Sequence, residues 1–224
     1  MAGGLKLYSY WRSSAAYRVR IALNLKGLEY DIEPVHLVRD GGEQHRPEYR
    51  KVNPQELVPV LIDGRRVIRQ SIAIIEYLDE TYDGEMKLLP TIARDRARVR
   101  ALALVVACDI HPLNNTRVMR FLENEFGLSE EQRGRWMRRW MEEGFRSFEE
   151  LIAGHPSTGQ FCEGDTPTIA DICLVPQVYN ARRFLIDMTP FPTIERIVAA
   201  CLDLSAFEAA RPENQPDAVL YVCL

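Results

Sequence analysis

The stretch Tyr10-Trp-Arg-Ser-Ser-Ala-Ala-Tyr-Arg-Val-Arg-Ile-Ala-Leu23 decides the fold of the first part of the chain. It joins a short strand at residues 5–8 to a segment whose apolar side chains recur at helical spacing. Ser13 and Ser14 stand at the start of this helix, where hydroxyl oxygens accept hydrogen bonds from unpaired N–H groups. The same helix end favours negative charge, so it suits a thiolate or a carboxylate. A plain helix cap is the alternative interpretation of the two serines.

The first 80 or so residues alternate strand-like and helix-like segments. After the first helix, at residues 14–26, the pattern predicts a strand at 30–37, a loop with one short helix at 39–53, a hairpin around Asp63-Gly64 and a helix at 71–82. The rest of the chain predicts helices at 94–126, 129–154, 169–184 and 193–208. The sequence therefore predicts two domains: an α/β domain at residues 1–84 and an all-α domain at residues 90–224.

Composition limits the kind of function. The 224 residues are 46% apolar and 27% charged, which is typical of a globular protein, and the net charge of −4 gives no reason to expect nucleic-acid binding. The absence of a long apolar stretch predicts that the protein does not span a membrane. Five scattered cysteines favour reduced thiols in a cytoplasm over a disulfide framework, and the histidine and cysteine spacings predict no metal site.

Other residues of the first domain complete a possible ligand surface. Val58 precedes Pro59, and a cis bond there would expose the Val58 backbone to a peptide-like ligand, whereas an ordinary edge-strand proline is the alternative. Gln70 and Ser71 lie where the hairpin enters a helix, so they suit a carboxylate, although a simple cap is again possible. Gln44 lies in the preceding loop and is a weaker candidate.

These motifs resemble those of the zeta-class glutathione transferases, the class that includes maleylacetoacetate and maleylpyruvate isomerases. The resemblance extends over essentially the whole chain. It rests on residues 8–14, 18–23, 53–54, 58–61, 70–78 and 168–177. One departure stands out, because the class usually reads Ser-Ser-Cys-x-Trp whereas this chain has Ala15 and Tyr17 after the two serines.

The resemblance implies a thioredoxin-like first domain that binds the cofactor glutathione, and a helical second domain that completes the substrate pocket. It implies that Ser13 activates the glutathione sulfur with help from Ser14. It further implies that Val58 pairs through its backbone, that Gln70 and Ser71 bind the γ-glutamyl end, and that Gln44 binds toward the glycine end. A homodimer is implied by the resemblance alone.

Candidate substrate contacts follow from the second domain and from arginine chemistry. His111 precedes Pro112, which interrupts a long helical run, so the kink could direct His111, Asn114, Asn115 and Arg117 toward a ligand. Of these, His111 and Asn115 are candidate glutathione contacts, and His111 and Arg117 are candidate substrate contacts. Similar bacterial isomerases place a histidine or glutamine at this point. Arg12 and Arg183 complete the set, since planar guanidinium groups suit carboxylates. The bland alternatives are a surface histidine and solvated arginines.

The predicted function is glutathione-dependent cis–trans isomerisation of a dicarboxylic keto acid in the breakdown of tyrosine or other aromatic compounds. The substrate is maleylacetoacetate or maleylpyruvate, and the sequence leaves the choice between them open. Two alternatives remain, a general glutathione transferase or peroxidase and a non-catalytic binding subunit of the same fold. The sequence Thr168-Ile-Ala-Asp171 predicts a helix-capping box with a structural role.

Overall fold

The computed structural model of the protein describes residues 4–84 and 86–219. In chain order, its strands and helices are β1 (Leu5–Ser9), α1 (Ser14–Leu25), β2 (Tyr30–Pro34), α2 (Pro47–Val52), β3 (Val60–Asp63), β4 (Arg66–Arg69), α3 (Ser71–Thr81), α4 (Ala93–Leu104), α5 (Thr116–Phe126), α6 (Glu130–Ile152), α7 (Ile169–Arg183), α8 (Pro192–Leu202) and α9 (Ser205–Ala209). The predicted β-α-β-α-β-β-α order of the first part is confirmed, and the part that follows is helical.

The four strands form one mixed sheet in the order β2-β1-β3-β4. β1 runs parallel to β2 and antiparallel to β3, and β3 is antiparallel to β4. Ser9 stands opposite Pro34, and Tyr8 stands opposite Val60, which also faces Arg69. The ends of β1, β2 and β4 and the start of β3 therefore share one edge of the sheet, here called the Ser9 edge. β2 stops three residues earlier than predicted because β1, its partner, stops at Ser9.

The chain divides into two compact units, and the division differs from the predicted domain boundary. One unit contains the described residues up to 88 together with 203–219, and the other contains residues 89–202. The sequence assigned residues 203–219 to the helical domain, but they pack on α1. Asn24 Nδ2 donates to the carbonyl of Ala206 at 3.0 Å, and Arg20 Nε donates to the carbonyl of Ala210 at 3.1 Å. As a result α1 is buried from residue 16 to residue 23, including its arginines.

The helical unit breaks two of the predicted helical runs. The run at 94–126 contains α4, a π-helical turn (Val105–Ile110), a 3-10 turn (His111–Asn114) and α5, since Pro112 cannot continue the helix. The run at 193–208 is divided between α8 and α9, which belong to different units.

Cys108, Cys162, Cys173 and Cys201 are free thiols. Cys223 lies outside the described residues. Over the described part of the chain, every helix is too short or too polar to cross a bilayer.

Candidate functional site

Ser13 caps the first helix in a way that leaves its proton available. Its Oγ accepts a hydrogen bond from the N–H of Ala16 at 3.2 Å, so the predicted capping geometry is present. A hydroxyl that accepts in one direction can still donate in another. Ser14 is the first residue of α1, and the first turn contains no acidic side chain. The helix end therefore offers a hydroxyl donor and uncompensated N–H groups to an anion.

Val58 lies two residues before β3, at the Ser9 edge, and its bond to Pro59 is cis. Within the described part of the chain, the backbone N–H and C=O of Val58 have no hydrogen-bond partner. The carbonyl just before it, that of Leu57, accepts from the Tyr49 hydroxyl at 2.6 Å and from Asn53 Nδ2 at 2.7 Å. Burial raises the pKa of Tyr49, so its hydroxyl stays protonated and keeps donating. The segment leading to Val58 is thus held in place.

Gln70 and Ser71 form the entry to α3, also at the Ser9 edge. Gln70 has a φ of 71°, a left-handed conformation that costs a non-glycine residue about 1–3 kcal/mol and that is found at functional sites. Its Nε2 donates to Gln55 Oε1 at 3.0 Å. Ser71 is buried and its Oγ accepts from Arg18 Nη1 at 3.3 Å. Arg18, a buried cation beside a helix N-terminus, was not predicted as a site residue, although an arginine among apolar helix positions could have indicated it.

Gln44 is oriented by a chain of side chains. His45 Nδ1 forms a close contact with the Glu56 carboxylate, whose pKa is lowered by the hydrogen bond from His45. Gln44 Nε2 lies 3.0 Å from His45 Nε2, which accepts from it when the ring proton is on Nδ1. Gln44 Oε1 then faces away, buried and without a hydrogen-bond partner among the described residues. A buried acceptor of this kind is costly unless a ligand donates to it.

The first unit brings its candidate residues to a single edge of the sheet. Ser13 and Ser14 follow β1, Val58 precedes β3, and Gln70 and Ser71 follow β4, so all of them lie at the Ser9 edge. Gln44 lies in the connection that leaves β2 at this edge.

Arg12 lies in the same β1–α1 loop, directly before Ser13. Its guanidinium carbon is 5.2 Å from the centre of the Trp11 ring, and the described residues give it no carboxylate partner. A cation stacked on an indole keeps its N–H groups available for an anion.

The remaining candidates belong to the second unit. His111 begins the 3-10 turn, which Trp136 Nε1 fixes by donating to the Leu113 carbonyl at 2.8 Å. Asn115 caps α5, since its Oδ1 accepts a hydrogen bond from the backbone N–H of Arg117 at 3.0 Å. The Arg117 residue is exposed. Asn115 thus has a structural role that the sequence analysis did not assign to it.

Arg183 ends α7 and is exposed. Its guanidinium carbon lies 5.4 Å from the centre of the Phe184 ring, and its Nη1 donates to Asn180 Oδ1 at 3.2 Å. These contacts hold the planar group at the surface of its unit.

Comparisons with known proteins agree with this geometry. Residues 7–86 match the family model of the glutathione S-transferase N-terminal domain, so the first unit is that of a glutathione transferase. A probable maleylacetoacetate isomerase from Vibrio cholerae is 52% identical over 214 residues, which cover 96% of this chain and 98% of the relative.

Solved structures agree as well. The holo structure of a maleylpyruvate isomerase, described as a bacterial zeta-class glutathione transferase, has a TM-score of 0.92 and 48% identity, and covers 96% of this chain and 100% of that one. A maleylacetoacetate isomerase from Methylobacterium extorquens, solved with malonate and glutathione bound, has a TM-score of 0.92 and 44% identity over the same shares. The chain belongs to the zeta class of the glutathione transferase family.

Proposed function

We propose that this protein is a glutathione-dependent isomerase that converts maleylacetoacetate or maleylpyruvate into the fumaryl isomer. This reaction is supported by the relatives that match nearly the whole chain, which are named maleylacetoacetate or maleylpyruvate isomerases. The observation that carries the proposal is the Ser13 hydroxyl, which accepts from Ala16 and is left to donate at a helix end without acidic residues.

The residues at the Ser9 edge fit a γ-glutamyl tripeptide. The unpaired Val58 N–H and C=O suit the backbone of a peptide that adds as a strand. The buried Gln44 Oε1 suits an N–H donor of the ligand. Ser71, with Arg18 behind it and the N-terminus of α3 around it, suits a carboxylate. Gln70 supplies a side-chain amide at the same place.

The reaction needs a stable thiolate and a charged substrate held in place. Glutathione, when bound, supplies the thiolate that adds to the double bond and later leaves it. The Ser13 hydroxyl donates a hydrogen bond to the thiolate sulfur, and the α1 N-terminus adds its positive potential, so the two lower the pKa of the thiol. Ser14 assists from the next position along the chain.

We propose that Arg12, in the first unit, binds a substrate carboxylate. His111, Arg117 and Arg183 belong to the other unit and stay predicted substrate contacts. A dicarboxylic keto acid needs such local groups because the protein as a whole has a net charge of −4. Guanidinium groups bind carboxylates with two parallel hydrogen bonds. They also offset the negative charge that develops on the conjugated carbonyl during the reaction.

Loss of the cis substrate, measured with and without catalytic amounts of glutathione, tests the reaction on both keto acids. We expect turnover only with glutathione, without its consumption, and a preference for one of the two acids. Stoichiometric loss of glutathione, together with faster conjugation of a chloro-aromatic compound, would instead make the protein a general transferase.

The role of Ser13 is tested by Ser13→Ala. We expect about a hundredfold loss of kcat/KM, the scale seen when one donor to a developing anion is removed. The matched control is Ser129→Ala. Ser129 caps α6, and its Oγ accepts from the Gln132 N–H at 3.3 Å. Equal activity of the two variants would contradict the assignment of Ser13.

We further propose that the protein acts as a homodimer in the cytoplasm, in the breakdown of tyrosine or other aromatic compounds. The free thiols of the described cysteines support a reducing compartment. Light scattering at micromolar concentration tests the dimer, and a monomer with full activity would contradict it.

A further inference from the structure

Two charged side chains hold the peptide groups of Trp11, the residue before Arg12 and Ser13. Asp217 Oδ2 accepts from the Trp11 N–H at 3.0 Å, and Arg20 Nη2 donates to the Trp11 carbonyl at 2.9 Å. Since β1 ends at Ser9, these two groups lie outside the sheet formed by the described strands. Backbone groups near a buried indole need partners, and here both partners are ionic side chains.

Arg20 is fully buried and fastens the loop at further points. Its Nη1 donates to Ser9 Oγ at 3.2 Å and to the Tyr10 carbonyl at 3.5 Å. The Tyr10 carbonyl in turn accepts from the Ser13 N–H at 2.9 Å. The backbone that carries Ser13 is therefore held from Ser9 onward by a side chain of α1 itself.

Asp217 provides the second attachment from the far end of the chain, and the segment that carries it is well fixed. Gln215 Nε2 donates to the carbonyls of Ala209 at 3.0 Å and Arg211 at 2.7 Å. Asn214 Nδ2 donates to the Glu208 carbonyl at 2.8 Å. Tied to α9 in this way, residues 214–217 form an ordered support behind the loop rather than a loose tail.

We propose that Asp217 is a positioning residue for Ser13. Its carboxylate fixes the rotation of the Trp11 peptide, and that rotation sets the direction in which Arg12 and Ser13 leave the loop. Arg12 stacks on the Trp11 ring, so the same peptide also places the guanidinium. This inference rests on the proposed role of Ser13 at the glutathione sulfur. Asp217 would thus set the position of the Ser13 hydroxyl without contacting the ligand itself.

The test compares Asp217→Ala and Asp217→Asn with Glu213→Ala as a control in the same segment. Asparagine keeps an oxygen that can accept from the Trp11 N–H, whereas alanine does not. Glu213 lies four residues before Asp217, and its carboxylate forms an ion pair with Arg211 at 3.8 Å. Three quantities are measured: kcat, the pKa of the bound glutathione thiol from ultraviolet thiolate absorbance, and amide hydrogen exchange over residues 10–16 without ligand.

We expect Asp217→Ala to lower kcat about tenfold, because small misplacements of reacting groups are costly. We expect it to raise the pKa of the bound thiol and to speed exchange over residues 10–16 about tenfold, as loss of one hydrogen bond predicts. Asp217→Asn should stay within about twofold of the parent protein, as should Glu213→Ala.

Unchanged exchange over residues 10–16 in Asp217→Ala would overturn the proposal, whatever happens to activity. So would an Asp217→Asn variant as impaired as Asp217→Ala, because the charge and not the hydrogen bond would then be responsible. If Ser13→Ala leaves the thiol pKa unchanged while Asp217→Ala speeds exchange and lowers kcat, the role of Ser13 fails but Asp217 still positions the loop. If only Ser13→Ala has an effect, the positioning role alone fails.

Discussion

Helices α1 and α7 are both preceded by a capping residue with a hydroxyl group, but only α7 has an acidic side chain in its first turn. Thr168 precedes α7, and Asp171, three residues later, is completely buried. The Asp171 carboxylate accepts from the N–H groups of Thr168 at 2.7 Å and Cys162 at 2.8 Å, and from the Thr168 hydroxyl at 2.9 Å. The chain therefore fills the start of α7 with its own negative charge.

The start of α1 lacks that charge. Ala16 occupies the position that corresponds to Asp171, and the half-buried Ser13 supplies a single capping bond. A helix start with an internal acid is satisfied and serves stability, whereas one without it keeps its positive potential for a ligand. We therefore infer that the third helical residue, and not the capping hydroxyl, distinguishes the structural start of α7 from the start of α1, which we propose binds a ligand.

The largest effect is expected when the buried carboxylate at the start of α7 is removed. Asp171→Ala leaves two backbone N–H groups and a hydroxyl without their acceptor, and should lower the free energy of unfolding by about 3–5 kcal/mol. Urea unfolding measures this loss. Asp165→Ala is the control, because among the described residues the exposed Asp165 accepts a single hydrogen bond, from the Gln160 N–H. This variant should cost less than about 1 kcal/mol. Glutathione affinity of the folded Asp171→Ala protein should be unchanged, and a large loss of affinity would contradict its structural role.

The second largest effect is expected when a carboxylate is added to the first turn of α1. Ala15→Glu places a carboxylate in the first turn of α1, where it competes with a bound anion. We expect the Kd for glutathione to rise about tenfold, while the free energy of unfolding stays equal or increases by about 0.5 kcal/mol. Calorimetric titration and urea unfolding measure the two quantities. Ala15→Gln has the same length without the charge, so equal binding by the two variants would show that charge at this helix end is irrelevant.

A smaller effect is expected at the capping hydroxyl of α7. Thr168→Ala removes one donor to Asp171 but leaves both backbone N–H groups bonded to it, so we expect a loss of about 1 kcal/mol in the free energy of unfolding. Activity per folded molecule should not change. Comparison with Ser13→Ala tests whether the Thr168 cap affects stability alone while the Ser13 cap affects turnover. A loss of turnover in Thr168→Ala, measured well below its Tm, would remove that separation.

Much of the first unit was predictable, because its signals are local. The hydroxyls at the start of α1, the hairpin turn at Asp63-Gly64 and the alternation of β and α segments each depend on a few adjacent residues. The capping box at Thr168 and Asp171 was predictable for the same reason, since its two members are three residues apart.

The contacts that hold the site were not predictable, because they join residues far apart in sequence. Arg18 reaches Ser71, and Asp217 reaches Trp11 across 206 positions. Periodicity predicted one buried face for α1 because it could not show that residues 203–219 return to cover another. The π-helical turn before His111 was missed for a related reason, since only Pro112 signals it and proline does not specify how a helix will break.

The smallest effect is expected where this chain departs from the sequence usual in its class. Ala15→Cys restores the thiol of the Ser-Ser-Cys pattern in the first turn of α1. We expect kcat to change less than about threefold, because the sulfur that adds to the substrate belongs to glutathione and the new side chain does not replace it. Steady-state kinetics on the preferred keto acid measures this, with Ala15→Ser as the control of similar shape. A tenfold gain in Ala15→Cys that Ala15→Ser does not share would give the polarizable sulfur a role in turnover, and the absence of an acid would then be only part of what makes the α1 end a ligand site.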